Sequence, residues 1–274
     1  MQIKNHLLIL DNGKQAVLKP TPNKGGKYTP QYLVMHYTAA TTASSAINWF
    51  LSTAAQASAH LVIAPDGAVT QCAPFNIVTW HAGSSTWKGL TGLNQFSIGI
   101  EIVNAGRLAR KGDKWICPVD RATIPDDDVV MATHRNETQI AAWHEYTAKQ
   151  LDVSLKIAVT LVSHYGLKDV LSHDEIAPMR KSDPGPAFPM ASFRSRSMGR
   201  KDETLDQYVT ADKLNIRSGA GTQFAPVTDA PLPKGTPVLV LKTEGNWSFV
   251  DVQTTVKGQM DLEGWVSSKF LVKK

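Results

Sequence analysis

Short blocks of apolar residues dominate the first hundred positions, and their spacing predicts strands more often than helices. QYLVMHY (residues 31–37) reads as a strand that ends on His36. SSAINWFLSTAA (residues 44–55) instead places Ile47, Phe50 and Leu51 on one face, as a helix would. AHLVIAP and AVTQCAP are joined by Asp66-Gly67, a dipeptide that tolerates positive φ, so the pair predicts a β-hairpin. SIGIEIV (residues 97–103) is apolar on both faces apart from Glu101, the pattern of a central strand. Residues 105–136 are charged and lack a period, and read as a long inserted loop. From Thr138 to Tyr165 the pattern turns helical, with Ile140, Trp143, Leu151, Leu155, Ala158, Val159 and Val162 as the stripe and Gly166 as C-cap. A strand over Val170–Ser172 then delivers His173.

Strands mixed with helices and at least one hairpin predict an α/β domain with a mixed central β-sheet flanked by helices, spanning residues 1–195. RSMGRKDETLD (residues 196–206) is polar and reads as a linker. Beyond it, residues 207–274 break into short strands separated by Gly, Pro and Asn turns, which predicts a second, small all-β barrel.

The chemistry concentrates in LSHDEIAPMRKSDPGPAFP (residues 171–189), which sets His173, Lys181 and Asp183 in one short irregular loop. His36 and His173 with Asp183 suit zinc, which takes three protein ligands at a catalytic site and leaves a fourth position open. Taken singly, His173 and Asp183 read better as turn residues than as ligands. Glu101 changes the balance, because a carboxylate within an apolar strand needs compensation.

These segments together resemble a known family. VMHYTA, IGIEIVN and SHDEIAPMRKSDPGPAF, with SAHLVIAPDGAVTQ and WHAG in the same order, are similar to the zinc-dependent N-acetylmuramoyl-L-alanine amidases of the second amidase family, over roughly residues 28–195. LNIRSGAG, GNWSFVDV and EGWVSSKFL resemble bacterial SH3 domains. The resemblance implies His36, His173 and Asp183 as zinc ligands and Glu101 and Lys181 as catalytic groups. It also implies His81 in the substrate groove, with a structural hydrogen-bonding role as the alternative, and peptidoglycan or a muropeptide as the partner; Asn94, preceding the Glu101 strand, is a candidate to hold substrate amide groups. The expected reaction is hydrolysis of the amide between N-acetylmuramic acid and L-alanine. The alternatives are a non-catalytic peptidoglycan-binding protein and a zinc peptidase cutting within the stem.

Composition narrows the field further. The 274 residues are 42% hydrophobic and 19% charged, ordinary for a globular chain and enough for one sizeable core plus a small domain. The net charge of +5 is mild, and Arg107, Arg110, Lys111 and Lys114 are followed closely by Asp126, Asp127 and Asp128. No basic helix with interleaved aromatics appears, so nucleic acid is not expected as a partner. Cys72 and Cys117 are too few and too far apart for a thiolate metal site. The N-terminus offers four consecutive apolar residues, Leu7 to Leu10, against the ~7–15 of a signal-peptide core. The expectation is therefore a cytoplasmic protein, a mature form or one exported by another route, with no membrane span. Oligomeric state stays open. Of the other histidines, His60 is expected in the core, His134, His144 and His164 in packing or surface roles, and His6 at a mobile terminus.

Overall fold

The computed structural model describes residues 1–199, 207–259 and 262–273. Of the expected linker 196–206, residues 200–206 lie outside the described residues. The chain divides into two compact units, Met1–Phe188 and Pro189–Lys274.

The first unit is built on a six-stranded mixed sheet. Its strands are β1 (Val17–Leu18), β2 (Tyr32–Tyr37), β3 (Leu61–Ile63), β4 (Val69–Gln71), β5 (Ser97–Ile102) and β6 (Asp169–Ser172), in the spatial order β6-β2-β5-β3-β4-β1. β6, β2, β5 and β3 run parallel, whereas β3 and β4 form the expected antiparallel hairpin around Asp66-Gly67. Gly67 supplies the turn's positive φ of +83°. Leu33, Met35, Ile98, Ile100 and Ile102 are fully buried, as central parallel strands require.

Helix α1 (Ala43–Leu51) buries Ala46, Ile47 and Phe50 against Val62 and Val103, with Thr42 capping its N-terminus through Ser45 N–H. It stops at Leu51, and Thr53–Ala55 continue only as a single 3₁₀ turn, so the expected helix 44–55 is shorter by four residues.

The second helix departs further from the sequence pattern. Residues Ile140–His144 form a strand paired with Val129–Thr133, and α2 runs only over Ala148–Tyr165. Thr147 and Gln150 make a reciprocal capping box that fixes this start. Its buried stripe is Val153, Ile157 and Leu161 with Ala158, whereas Val159 is 42% exposed. Gly166 closes α2 in the left-handed conformation, as expected. The insertion after β5 is not a loop: Ala109–Lys111, Lys114–Ile116 and Thr123–Ile124 form a small antiparallel sheet ahead of the Val129–Thr133 strand. Ala105, Leu108, Cys117, Ile124 and Ala142 give it an apolar core of its own.

The second unit opens with the helix Met190–Ser197, residues that the sequence pattern assigned in part to the first domain. It continues with β7 (Gln207–Thr210), β8 (Pro237–Glu244), β9 (Trp247–Val252), β10 (Leu262–Ser267) and β11 (Leu271–Lys273). These pair antiparallel in the order β10-β9-β8-β7-β11 around Leu214, Ile216, Leu232, Val238, Val250 and Val266. Among the described residues no helix is long and apolar enough to cross a membrane.

Candidate metal site and cleft

Three adjacent parallel strands deliver the site. In register, Glu101 on β5 pairs with His36 on β2, and Ser172 on β6 pairs with Met35. Cross-strand partners point to the same face about 4.8 Å apart, so Glu101 necessarily flanks His36. The chain leaves β6 directly into α3 (His173–Ile176), so His173 opens a short helix and does not lie in an irregular loop. Ser172 and Glu175 close a capping box around that turn, and Asp174 N–H donates to the Asp183 carbonyl at 2.9 Å, tying the two halves of the segment together. A crevice at the carboxyl ends of parallel strands is where open α/β sheets place their ligand sites.

His36, His173 and Asp183 converge there. Asp183 Oδ2 lies 2.9 Å from His36 Nδ1 and 2.8 Å from His173 Nδ1, and the two Nδ1 atoms are 2.9 Å apart. All three residues are buried. The His173 Nε2 atom is 3.2 Å from the Ala82 carbonyl oxygen, which can only accept, so Nε2 carries the ring proton and Nδ1 presents its lone pair inward. Lone pairs and a carboxylate oxygen at such separations repel one another unless positive charge sits among them. A proton can bridge one pair; a divalent cation serves all three. Two imidazole nitrogens and one carboxylate oxygen are the donor set that such a cation takes, and the residues fit it.

The electrostatics agree with that fit. Burial pushes the His36 imidazole down to about 4, with the neighbouring His173 adding to the effect. Burial would raise the Asp183 carboxyl, but the contacts with His173 and His36 overcome it and hold the group well below the usual carboxylate range. The Glu101 carboxyl is driven well above its ordinary value, first by burial and then by the Asp183 charge, with Lys181 opposing. Its Oε2 atom is sealed from solvent without a hydrogen-bond partner.

A cleft of about 1010 Å³ opens over His36, His173 and Asp183. Glu101, Lys181, Ser182 and Arg180 line it beside these three residues, and Trp49, Trp80 and Val119 give it an apolar rim. Trp49 and Val119 are 55% and 66% exposed. Asp120 ties the inserted segment to the rim by accepting Thr41 N–H and Oγ1–H, both at 2.7 Å. Trp49, Val119 and Asp120 carry no separate signal in the sequence, since each lies in a stretch that reads as helix face or charged loop.

His81 reaches the cleft, but its ring is engaged: Nδ1 meets His36 Nε2 at 3.0 Å and Nε2 meets the Ser97 carbonyl at 3.1 Å. Asn94, expected in the groove, is not among its lining residues; its carboxamide oxygen accepts the backbone N–H of His81 and Ala82 at 3.0 and 2.7 Å. His60 is a satisfied core histidine, bonded to Thr79, Ile77 and Gly99. His134 is buried against Asp174 at 3.0 Å. His6 is held by the Tyr165 hydroxyl at 2.9 Å rather than carried on a loose end. Cys72 and Cys117 are both free thiols.

Three buried imidazoles predict a pH response of the chelated protein. His36 and His60 are lowered to about 4 and about 3, and His81 is held well below its ordinary value, each chiefly by burial. Between the unfolded value near 6.5 and these folded values the unfolded chain binds more protons, so stability falls as pH falls. For His36 alone the loss by pH 4 is ~3 kcal/mol, at ~1.4 kcal/mol per pH unit. Denaturant melts of a Glu101→Gln background, which silences the opposing carboxyl, should show this decline between pH 6.5 and 4. A flat profile would contradict the neutral, buried state of these rings.

Residues 26–186 match the family model for N-acetylmuramoyl-L-alanine amidase, and residues 212–272 match that for the bacterial SH3 domain. The chain is 28% identical over 209 residues to the Escherichia coli N-acetylmuramoyl-L-alanine amidase AmiD, covering 73% of this chain and 62% of AmiD. It is 35% identical over 137 residues to the E. coli 1,6-anhydro-N-acetylmuramyl-L-alanine amidase AmpD, covering 50% of this chain and 56% of AmpD. The chain thus spans less than two thirds of the length of either relative. A crystal structure of a selenomethionine derivative of AmpD superposes with a TM-score of 0.51 at 24% identity, over 72% of this chain and 99% of that one, and shares the fold.

Proposed function

Because this chain belongs to the N-acetylmuramoyl-L-alanine amidase family, we propose that it hydrolyses the amide joining N-acetylmuramic acid to the L-alanine of a peptidoglycan stem peptide, with zinc held by His36, His173 and Asp183. The observation that carries this reading is the convergence of two imidazole Nδ1 atoms and one carboxylate oxygen within 2.9 Å of one another, beside a buried carboxylate oxygen with no partner. A zinc ion bound there would act as a Lewis acid on the amide carbonyl and bring the pKa of a bound water toward ~7.

The remaining work falls to residues of the chain. Glu101 takes the proton from the attacking water at its carboxylate and returns it to the departing nitrogen, which turns a poor leaving group into an amine. A carboxyl driven upward by burial and by Asp183 is a stronger base when ionised, and so better matched to that transfer. Lys181 lines the same cleft, and its ammonium group offsets the negative charge that develops on the carbonyl oxygen. The 1010 Å³ cleft, with Trp49 and Trp80 on its rim, accommodates a muropeptide with an apolar sugar face laid on the indoles. The bacterial SH3 domain supplies a second attachment to wall material.

Mass analysis of the products from a defined muropeptide tests the proposal. Release of a peptide beginning at L-alanine is the expected result. Fragments cut within the stem would replace the amidase by a peptidase, and unchanged substrate that still binds would replace it by a binding protein.

A further inference from the structure

His81 resembles a groove residue in sequence and Asn94 precedes the Glu101 strand, yet both ring nitrogens of His81 and the carboxamide oxygen of Asn94 are engaged within the protein. The two lone pairs of Asn94 Oδ1 are taken by consecutive backbone N–H groups, those of His81 and Ala82. Those same two residues each reach one imidazole of the metal cluster. The Ala82 carbonyl receives His173 Nε2–H at 3.2 Å. The His81 ring donates from Nε2 to the Ser97 carbonyl at 3.1 Å, so in the neutral ring its Nδ1 is an acceptor. Facing it at 3.0 Å, His36 Nε2 must then be the donor, which leaves the His36 Nδ1 lone pair directed at Asp183 and His173.

We propose that Asn94 and His81 are positioning residues of the metal site: Asn94 pins the 81–82 turn, and this turn sets the tautomer and orientation of both histidine ligands at once. The proposal rests on the metal reading above and deepens it. A second observation supports it independently. A Cβ on Gly99 would lie 2.4 Å from His81 Cγ, so the glycine interrupting β5 between Ile98 and Ile100 is what lets the ring lie against the strand. Arg180 Nη2 adds a hydrogen bond of 2.8 Å to the Ala82 carbonyl, holding that oxygen from the other side. Outer partners of metal-bound histidines are typically worth ~10–100-fold in metal affinity.

The test is the zinc dissociation constant of the full chain, measured by competition with a chromogenic chelator, with the absorption spectrum of the cobalt-substituted protein as a second readout. Asn94→Leu keeps the branched side-chain shape, though with bulkier methyl groups, and removes the acceptor; Asn94→Asp keeps an oxygen that both N–H groups can reach. The expected result is ~10–100-fold weaker zinc binding and a changed cobalt spectrum for Asn94→Leu and for His81→Ala, with Asn94→Asp close to the parent. Parent-like affinity in Asn94→Leu, or equal losses in Asn94→Leu and Asn94→Asp, overturns the proposal. Should Asn94→Leu fail to fold, His81→Ala decides alone, and parent-like affinity there overturns it. A parent chain that binds no zinc would instead sink the metal reading itself, so the two failures are distinguishable.

Discussion

Replacing Glu101 by Gln lowers kcat on a defined muropeptide by about 10²–10⁴-fold while zinc stays bound, the range expected for removal of a positioned general base. Glutamine keeps the shape of the side chain and removes the group that accepts the proton. The same substitution stabilises the chelated protein at neutral pH. Glu101 Oε2 is buried with no hydrogen-bond partner, and its carboxyl is pushed up first by burial and then by the Asp183 charge. A carboxyl raised in the folded state binds more protons there than in the unfolded chain, so ionising it costs stability as pH rises above about 4.5. Glutamine mimics the protonated form. The stability gap between variant and parent should therefore open from near zero in acid to on the order of 1–3 kcal/mol at neutral pH, the cost of one unsatisfied buried group. Thermal melts of the two chelated proteins at several pH values would show it. A Glu101→Gln chain that turns over normally, or one that is less stable than the parent at pH 7, would remove Glu101 from the base position.

Asp183→Asn is expected to abolish zinc binding at micromolar metal and to lower turnover by at least ~10³-fold, since a metal's stabilisation of transition-state charge is several kcal/mol and each 1.36 kcal/mol is tenfold. Asp183 Oδ2 sits 2.8 and 2.9 Å from the two Nδ1 atoms and is the only anionic donor of the cluster. Its replacement removes the charge that offsets the cation's loss of hydration. The fold should survive, because an asparagine amide can donate to an imidazole lone pair across the same distance. Metal content after dialysis, read beside a circular-dichroism melt, separates loss of metal from loss of structure. Retained zinc with retained activity would exclude Asp183 as a ligand.

Much of this site was legible in the sequence because His36, His173 and Glu101 each lie in or just after a short, strongly patterned strand. His36 closes a β-rich run, His173 follows another, and Glu101 is the one charge in an apolar strand; the observed register brings all three to one edge of the sheet. The sequence pattern misled where two periods coincide. Ile140 and Trp143 stand three apart, as on a helix, yet they belong to a strand paired with Val129–Thr133, and the decisive signal was the Thr147–Gln150 capping box. On α2 itself, Leu151, Leu155 and Val159 form one apolar row and Val153, Ile157 and Leu161 another, and tertiary packing buries the second. Up to Ile124 the insertion read as loop because its strands there are only two or three residues long, too short to establish alternation. His81 was found by resemblance and Asn94 by its place before the Glu101 strand, but apart from the His81–His36 ring contact their hydrogen-bond partners are backbone atoms of His81, Ala82 and Ser97, which leave no mark on side-chain chemistry.

The proposed amide hydrolysis depends on a zinc ion held by His36, His173 and Asp183. Its most direct test is the release of L-alanyl peptide from a muropeptide by protein that has been chelated, dialysed and titrated with zinc. No release from the chelated protein is expected, with recovery that rises linearly and saturates at one zinc per chain. Full activity in the chelated protein, or no recovery at any zinc concentration in a chain that remains folded, would contradict it.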